Sequence, residues 1–161
     1  MKRLAETFFY QVGRQNREAT LRSVLVRSRR QGWRVAVRFQ SKSQASEVDD
    51  ALWRVPQNGF LPHGLAGGQF DEDQPILLTT ERNSANRPDA LVMYRTFDLD
   101  PGEIGEFRRV SIMFDGSEQE ELSAARRLWK TLKAAEAPIK YWEHSGEGWN
   151  LKASENLPEV P

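Results

Sequence analysis

Two spacings of apolar residues alternate along the chain, one typical of strands and one typical of helices. Runs rich in Val, Ile, Leu and aromatic residues predict strands over 7–12, 33–39, 74–80, 90–97 and 108–114. Apolar residues repeated at intervals of three and four predict helices over 18–32, 41–55 and 115–137. Strands that alternate with helices predict a layered α/β fold, with a largely parallel central sheet and helices on both faces.

The predicted helices carry start and stop signals. Gly32 follows the first helix as a natural stop, and Ser41 or Ser43 is placed to cap the second. Ser117 and Glu120 have the spacing of a capping box at the start of the third helix. These residues indicate where each helix is expected to begin or end.

The segment 53–68, WRVPQNGFLPHGLAGG, places aromatic residues, prolines, a histidine and glycines between two predicted elements. Its glycines could cradle a phosphate, although the chain has neither GxGxxG nor GxxxxGK[ST]. His63 could be a general base, which would need a nucleophile and an orienting carboxylate beside it. The apolar side chains form either core or an interface with another protein: Trp53, Phe60, Leu61 and Pro62.

Composition narrows the choice of function. The 161 residues suit one domain, and 39% hydrophobic with 29% charged residues is typical of a globular protein. The 23 Lys and Arg balance 23 Asp and Glu, whereas proteins that bind nucleic acid through phosphates usually have a basic excess, so no direct nucleic-acid binding is expected. The absence of cysteine and the presence of two histidines exclude thiolate chemistry and a three-histidine metal site. No cofactor, metal or membrane segment is predicted, and a cytoplasmic location is expected.

The third predicted helix has a basic edge beside its apolar stripe. At about 100° per residue, the stripe consists of Leu122, Ala125, Leu128 and Leu132. Arg126, Lys130 and Lys133 fall within about 60° along one edge, with Trp129 between them and the stripe. Cations beside an aromatic ring suit an acidic peptide with an apolar last residue and a free carboxylate. The alternative is an amphipathic helix with a solvated basic face.

The block DDALWRVPQNGFLPHGLAGG, residues 49–68, resembles the signature segment of the chi subunits of bacterial DNA polymerase III holoenzyme. In that family an ALW helix end precedes F-[LV]-P-H and a turn rich in Gly and Ala. The remaining features agree in order: an FY strand, a G-x-R-V strand start, an RPDALV strand and an ARRLWK helix. The resemblance covers residues 8–142.

The resemblance implies a Rossmann-like fold without a working nucleotide site, in a clamp-loader accessory protein with no catalytic residue. Its implied partners are a psi-type subunit and the C-terminal tail of single-stranded DNA-binding protein; some members also bind a helicase-like protein through the psi surface. The Phe of the F-x-P-H loop faces psi in the family, which carries over to Phe60. Its neighbours are assigned to that interface by position: Trp53, Leu61, Pro62 and His63.

The family's tail-binding pattern, R-x-x-[aromatic]-K with a further basic residue, matches Arg126, Trp129, Lys130 and Lys133. Two departures are visible. Trp129 stands where Tyr is expected, and residues 120–122 are Glu-Glu-Leu where some members have a basic residue. Added acids and a missing cation predict a modest, salt-sensitive affinity for an acidic tail.

One chi-like α/β domain is predicted over residues 1–153, followed by a flexible tail over 154–161. The alternative function is a small Rossmann-like nucleotide-binding domain or enzyme that uses His63 and the 64–68 loop. It would need a pocket at the carboxyl ends of the strands, with His63 and carboxylates converging in it.

Overall fold

The computed structural model describes residues 5–13, 15–54, 61–145 and 148–157. These residues contain a single sheet of eight strands. In chain order the strands are β1 (Glu6–Val12), β2 (Val35–Arg38), β3 (Gly64–Leu65), β4 (Ile76–Thr79), β5 (Ala90–Met93), β6 (Arg109–Asp115), β7 (Ile139–Ser145) and β8 (Gly148–Glu155). The helices of the described residues are α1 (Arg17–Arg30), α2 (Lys42–Trp53) and α3 (Gln119–Ala134), with short 3-10 turns at Asp71–Asp73 and Pro101–Glu106.

The strands lie in the order β3-β4-β2-β5-β6-β1-β7-β8 across the sheet. Neighbouring pairs from β3 to β7 are parallel, and β8 is antiparallel to β7. Parallel strands of one sheet need crossover connections, which α1 provides between β1 and β2 and α3 between β6 and β7.

Two apolar cores lie on opposite faces of this sheet. Successive side chains of a strand point to opposite faces, so Phe8 of β1 belongs to one core and Phe9 to the other. The first core includes Leu21 of α1 and Leu52 of α2, and the second includes Leu132 of α3. Helices on both faces of a largely parallel sheet confirm the predicted fold class.

The start of α3 differs from the prediction. Because β6 continues to Asp115, the helix begins only at Gln119. The predicted capping box of Ser117 and Glu120 is wrong, since the N-cap is Glu118 and makes no side-chain cap hydrogen bond. Instead, Asp115 Oδ1 accepts hydrogen bonds from the Ser117 N–H at 2.9 Å and its hydroxyl at 2.7 Å, which closes the turn before the helix.

The strands β7 and β8 form a hairpin at one edge of the sheet. Trp149 of β8, to which the sequence assigned no role, packs edge-on against Tyr10 with ring centroids 5.3 Å apart. Residues 154–155 belong to β8, although the sequence analysis placed them in the tail. Residues 158–161 lie outside the described residues, so the domain limits of 1–153 stay a prediction.

Candidate functional site

A pocket of about 430 Å³ opens between α3 and the sheet. Its floor is apolar, with side chains from α3, β1, β6 and β7: Phe9, Phe114, Leu122, Ala125 and Tyr141. Its more exposed rim comes from α3 and β8: Arg126, Trp129, Lys130, Ala153 and Glu155. The pocket therefore combines an apolar floor with charged groups at its opening.

Aromatic rings set the shape of this pocket. The Trp129 ring lies edge-on to Phe9, with centroids 5.3 Å apart and planes at 67°. Trp129 also meets Tyr141 edge-on at 6.4 Å, and Tyr141 stacks on Phe114 at 5.8 Å. Such pairs add about 0.5–1.5 kcal/mol each beyond area burial, so the floor is a preformed surface rather than a loose gap.

The cations on the rim are available to a ligand. Arg126 and Lys130 lie four residues apart on α3, which puts them on the same face of the helix. Both side chains are exposed, and neither forms an ion pair or hydrogen bond with another described residue. Cations without a partner beside an apolar floor favour a ligand that carries both a negative charge and an apolar group.

The charge of Arg126 also affects the pKa of Tyr141 in the pocket floor. Burial is the main cause that raises the pKa of the Tyr141 phenol, the Glu143 carboxylate adds to the rise, and the Arg126 charge opposes it. The phenol therefore stays protonated at neutral pH, and it donates a hydrogen bond to Gln11 Oε1. Arg126 and Tyr141 line the same pocket, which explains why the arginine charge affects the phenol.

Three of the four residues predicted for the tail site meet at this pocket, and Lys133 does not. Lys133 lies one turn beyond Trp129, and its Nζ is 3.1 Å from Glu155 Oε1 of β8. Phe9, Phe114 and Glu155 also line the pocket and were not predicted from the sequence. Spacing along one helix carries no signal for them, because they reach the pocket only through the order of the strands.

The loop predicted to face the psi-type partner is described in part. Phe60 lies outside the described residues, as do the other residues of 55–60. Trp53 is 52% exposed and Pro62 is exposed, whereas Leu61 and His63 are buried. The His63 ring stacks on Trp53 with centroids 4.0 Å apart, so the described part of the loop is fastened to the end of α2.

His63 has a structural place rather than that of a general base. Its Nδ1 lies 2.7 Å from the Leu61 carbonyl oxygen, and its Nε2 lies 3.1 Å from Asp49 Oδ1. The same Asp49 oxygen accepts a hydrogen bond from Trp53 Nε1 at 3.1 Å. Because the His63 ring is buried and both of its nitrogens face protein oxygens, neither nitrogen lies at a surface where a substrate could reach it.

The glycines of the 64–68 loop do not form an open phosphate cradle. The amides of Gly67 and Gly68 donate to the Asp71 carboxylate at 2.8 and 3.0 Å, so an anion of the protein already occupies them. Of the three glycines in this loop, Gly67 alone has a positive φ, 103°. A Cβ at Gly64 would lie 2.8 Å from Gln74 Cδ, so a larger residue there would require the Gln74 side chain to move.

A polar cleft of about 650 Å³ lies near the carboxyl ends of β2, β5 and β6, the edge where doubly wound sheets bind ligands. Its described lining has one cation, Arg95, and the carboxylates of Asp115, Glu118, Glu120 and Glu121. A wall of carboxylates repels phosphate groups, and His63 does not belong to this lining. The geometry required by the enzyme alternative is therefore not found among the described residues.

Fold and pocket together define an α/β protein with a preformed, basic-rimmed apolar pocket on one face of its sheet. The sequence model of the DNA polymerase III chi subunit, HolC, matches residues 4–140. The chain belongs to this family, as its loop and helix motifs predicted.

Curated relatives agree with this assignment. The DNA polymerase III subunit chi of Escherichia coli (strain K12) is 35% identical over 68 residues, which are 42% of this chain and 46% of that protein. The same subunit of Pseudomonas aeruginosa is 33% identical over 82 residues, 51% of this chain and 55% of the relative. The aligned stretches thus span about half of each relative.

A solved structure resembles the fold at low sequence identity. The C-terminal domain of the DEAD-box protein Dbp5 has a TM-score of 0.56 and 11% identity, covering 88% of this chain and 91% of that one. At this identity the likeness concerns the fold alone. Within the described residues, no helix is long and apolar enough to cross a membrane, and no cluster of three or more His, Asp or Glu side chains is placed to hold a metal ion.

Proposed function

We propose that the chain is a non-catalytic accessory subunit of the DNA polymerase III clamp-loader complex. One surface binds a psi-type subunit, a second binds the C-terminal tail of single-stranded DNA-binding protein, and the chain links the two in the cytoplasm during DNA replication. Membership of the chi family supports the role in the polymerase. The observation that carries the tail-binding part is the pocket below α3, with Arg126 and Lys130 at its rim.

The pocket suits both groups of the last residue of such a tail, its apolar side chain and its free carboxylate. An apolar last side chain fits the floor between Phe9, Trp129 and Tyr141, which is shaped by ring packing. The terminal carboxylate lies within reach of Arg126, whose planar guanidinium binds carboxylates in a fork, and Lys130 adds a point charge. Acidic residues before the end of the tail gain from the same cations.

The described residues that support a psi-type interface lie at the opposite edge of the sheet from β8. The loop before β3 contains the family's F-x-P-H pattern with Phe60, and Trp53 and Pro62 expose apolar surface beside it. Strand β3 is at one edge of the sheet and β8 is at the opposite edge. A subunit with two surfaces at opposite edges can hold both partners at once, and a helicase-like partner would compete for the psi surface.

Co-purification with the cognate psi-type subunit tests the first surface. Phe60→Ala should lose the subunit, because a truncated aromatic anchor removes most of the apolar contact at the centre of such an interface. Arg126→Ala should retain it. Loss of the subunit with both variants, while circular dichroism shows both folded, would contradict two separate surfaces.

A further inference from the structure

The strand β8 lies beyond the part of the chain that matches the chi family. The family match ends at residue 140, whereas β8 spans Gly148–Glu155. This strand contributes Ala153 and Glu155 to the wall of the pocket. One side of the proposed tail site is therefore built by a segment beyond the matched region.

The end of β8 is fastened to the C-terminal turn of α3. Asn156 donates from Nδ2 to the carbonyl oxygens of Lys133 at 3.2 Å and Ala137 at 3.1 Å. The Lys133 carbonyl also accepts from the Glu136 N–H at 3.1 Å, and Ala137 follows the helix, so Asn156 ties the end of β8 to the last turn of α3 and to the segment that leads into β7. With Glu155 also opposite Ile139 in the hairpin, its carboxylate is held beside Lys133 at 3.1 Å.

Glu155 changes the charge that a ligand meets. Among the described residues that line the pocket, it carries the one carboxylate, opposite the cations of Arg126 and Lys130. It also forms an ion pair with Lys133, which lies on the basic edge of α3. A negative group of a ligand that approaches this end of the pocket meets a neutral pair rather than a cation.

We infer that Glu155 is a specificity-determining residue of the pocket. It directs the negative charge of a bound peptide to Arg126 and Lys130, and it selects against peptides with a long acidic stretch, because these must approach Lys133 and its carboxylate. This inference rests on the proposed tail-binding function and concerns the ligand specificity of the same site.

The test uses two labelled peptides that share an apolar C-terminal phenylalanine with a free carboxylate. One has several aspartates before its end, and the other has asparagines in their place. With the full chain at low salt, Glu155→Gln should bind the aspartate peptide about two- to fivefold more tightly, the range of an exposed charge pair. Its affinity for the asparagine peptide should change little.

Two variants serve as controls. Glu81→Gln makes the same change of net charge after β4, near the opposite edge of the sheet, and should not alter the affinity. Adding Lys133→Gln to Glu155→Gln should remove the gain, because the gain depends on the lysine that Glu155 releases.

The outcomes separate this inference from the function on which it rests. If Arg126→Ala abolishes binding but Glu155→Gln gives no gain, or Glu81→Gln gives the same gain, the role of Glu155 is overturned and the tail site stands. If wild type and Glu155→Gln both fail to bind the aspartate peptide, or Arg126→Ala binds it as wild type does, both proposals are overturned. A gain confined to the aspartate peptide and cancelled by Lys133→Gln supports the inference.

Discussion

Each of the three tyrosines in the chain has a raised pKa. At Tyr10, Tyr94 and Tyr141 the largest cause is burial, which penalises the charged phenolate. Nearby arginines oppose the rise at each site, among them Arg27 at Tyr10. The rings therefore pack in the neutral form, and Tyr141 uses that form to donate its hydrogen bond.

Raised tyrosine pKa values predict a loss of stability at alkaline pH. A native state with raised pKa keeps protons that the unfolded chain releases, so this contribution is intact below the ordinary pKa of 10.0 and is lost as pH rises through the folded value. Each tyrosine adds at most about 1.4 kcal/mol per pH unit to the decline. Urea unfolding from about pH 8 to about pH 12 should show a shallower decline for Tyr10→Phe than for wild type. An equal decline in the two proteins would contradict burial as the cause.

The residues predicted for tail binding show what spacing on a helix can predict. Arg126, Trp129 and Lys130 were placed together correctly, because the helical period alone decides which side chains share a face. Lys133 shares that face but not the pocket, since its surroundings depend on Glu155 of a strand far along the hairpin. Phe60 stays a prediction.

The helix α3 joins the second core to the pocket. Its inner face places Leu132, which is fully buried, against the sheet, while its outer edge presents Arg126 and Lys130 to solvent. The position of the pocket rim therefore depends on how well the core face of α3 is packed.

Truncating the core face of α3 should destabilise the protein. Leu132→Ala is expected to lower the free energy of unfolding by about 2–5 kcal/mol, through lost burial and a residual cavity. The exposed Arg127→Ala on the same helix should change it by less than about 0.5 kcal/mol. Chemical unfolding monitored by circular dichroism measures both, and similar values for the two variants would contradict the assigned faces.

Elements with a clear apolar pattern, either a regular repeat or a continuous run, were predicted well, and elements without such a pattern were not. Strands β2, β4 and β5 are buried along their whole length, which explains their continuous apolar runs. Ser41 caps α2 as expected, by accepting from the Gln44 N–H at 3.2 Å. Strand β8 is mostly exposed and contains charged residues, so its sequence resembles a loop and its pairing with β7 had no local signal.

At the scale of the whole molecule, the pocket below α3 depends on the order of the strands. Phe9 of β1 lies directly opposite Tyr141 of β7, and β6 brings Phe114 to the other side of β1. Periodicity predicts that these strands exist and are mainly parallel, but it does not predict which become neighbours. The family motifs suggested an acidic C-terminal peptide as the ligand, and the pairing of the strands builds the apolar floor proposed to hold it.

The central claim is that the pocket below α3 binds the C-terminal tail of single-stranded DNA-binding protein. The most direct test is fluorescence anisotropy of a labelled tail peptide from the cognate protein, titrated with wild type, Arg126→Ala, Arg127→Ala and Phe60→Ala. Arg127 is a matched control, because it is an exposed arginine on α3 that does not line the pocket.

We expect saturable binding by wild type, Arg127→Ala and Phe60→Ala, and at least about a tenfold loss for Arg126→Ala, as for a charge-assisted contact. Wild-type affinity should also fall as salt rises, because the cations are exposed and screened. Equal losses for Arg126→Ala and Arg127→Ala, or an affinity that salt leaves unchanged, would contradict the claim that Arg126 binds the tail in this pocket.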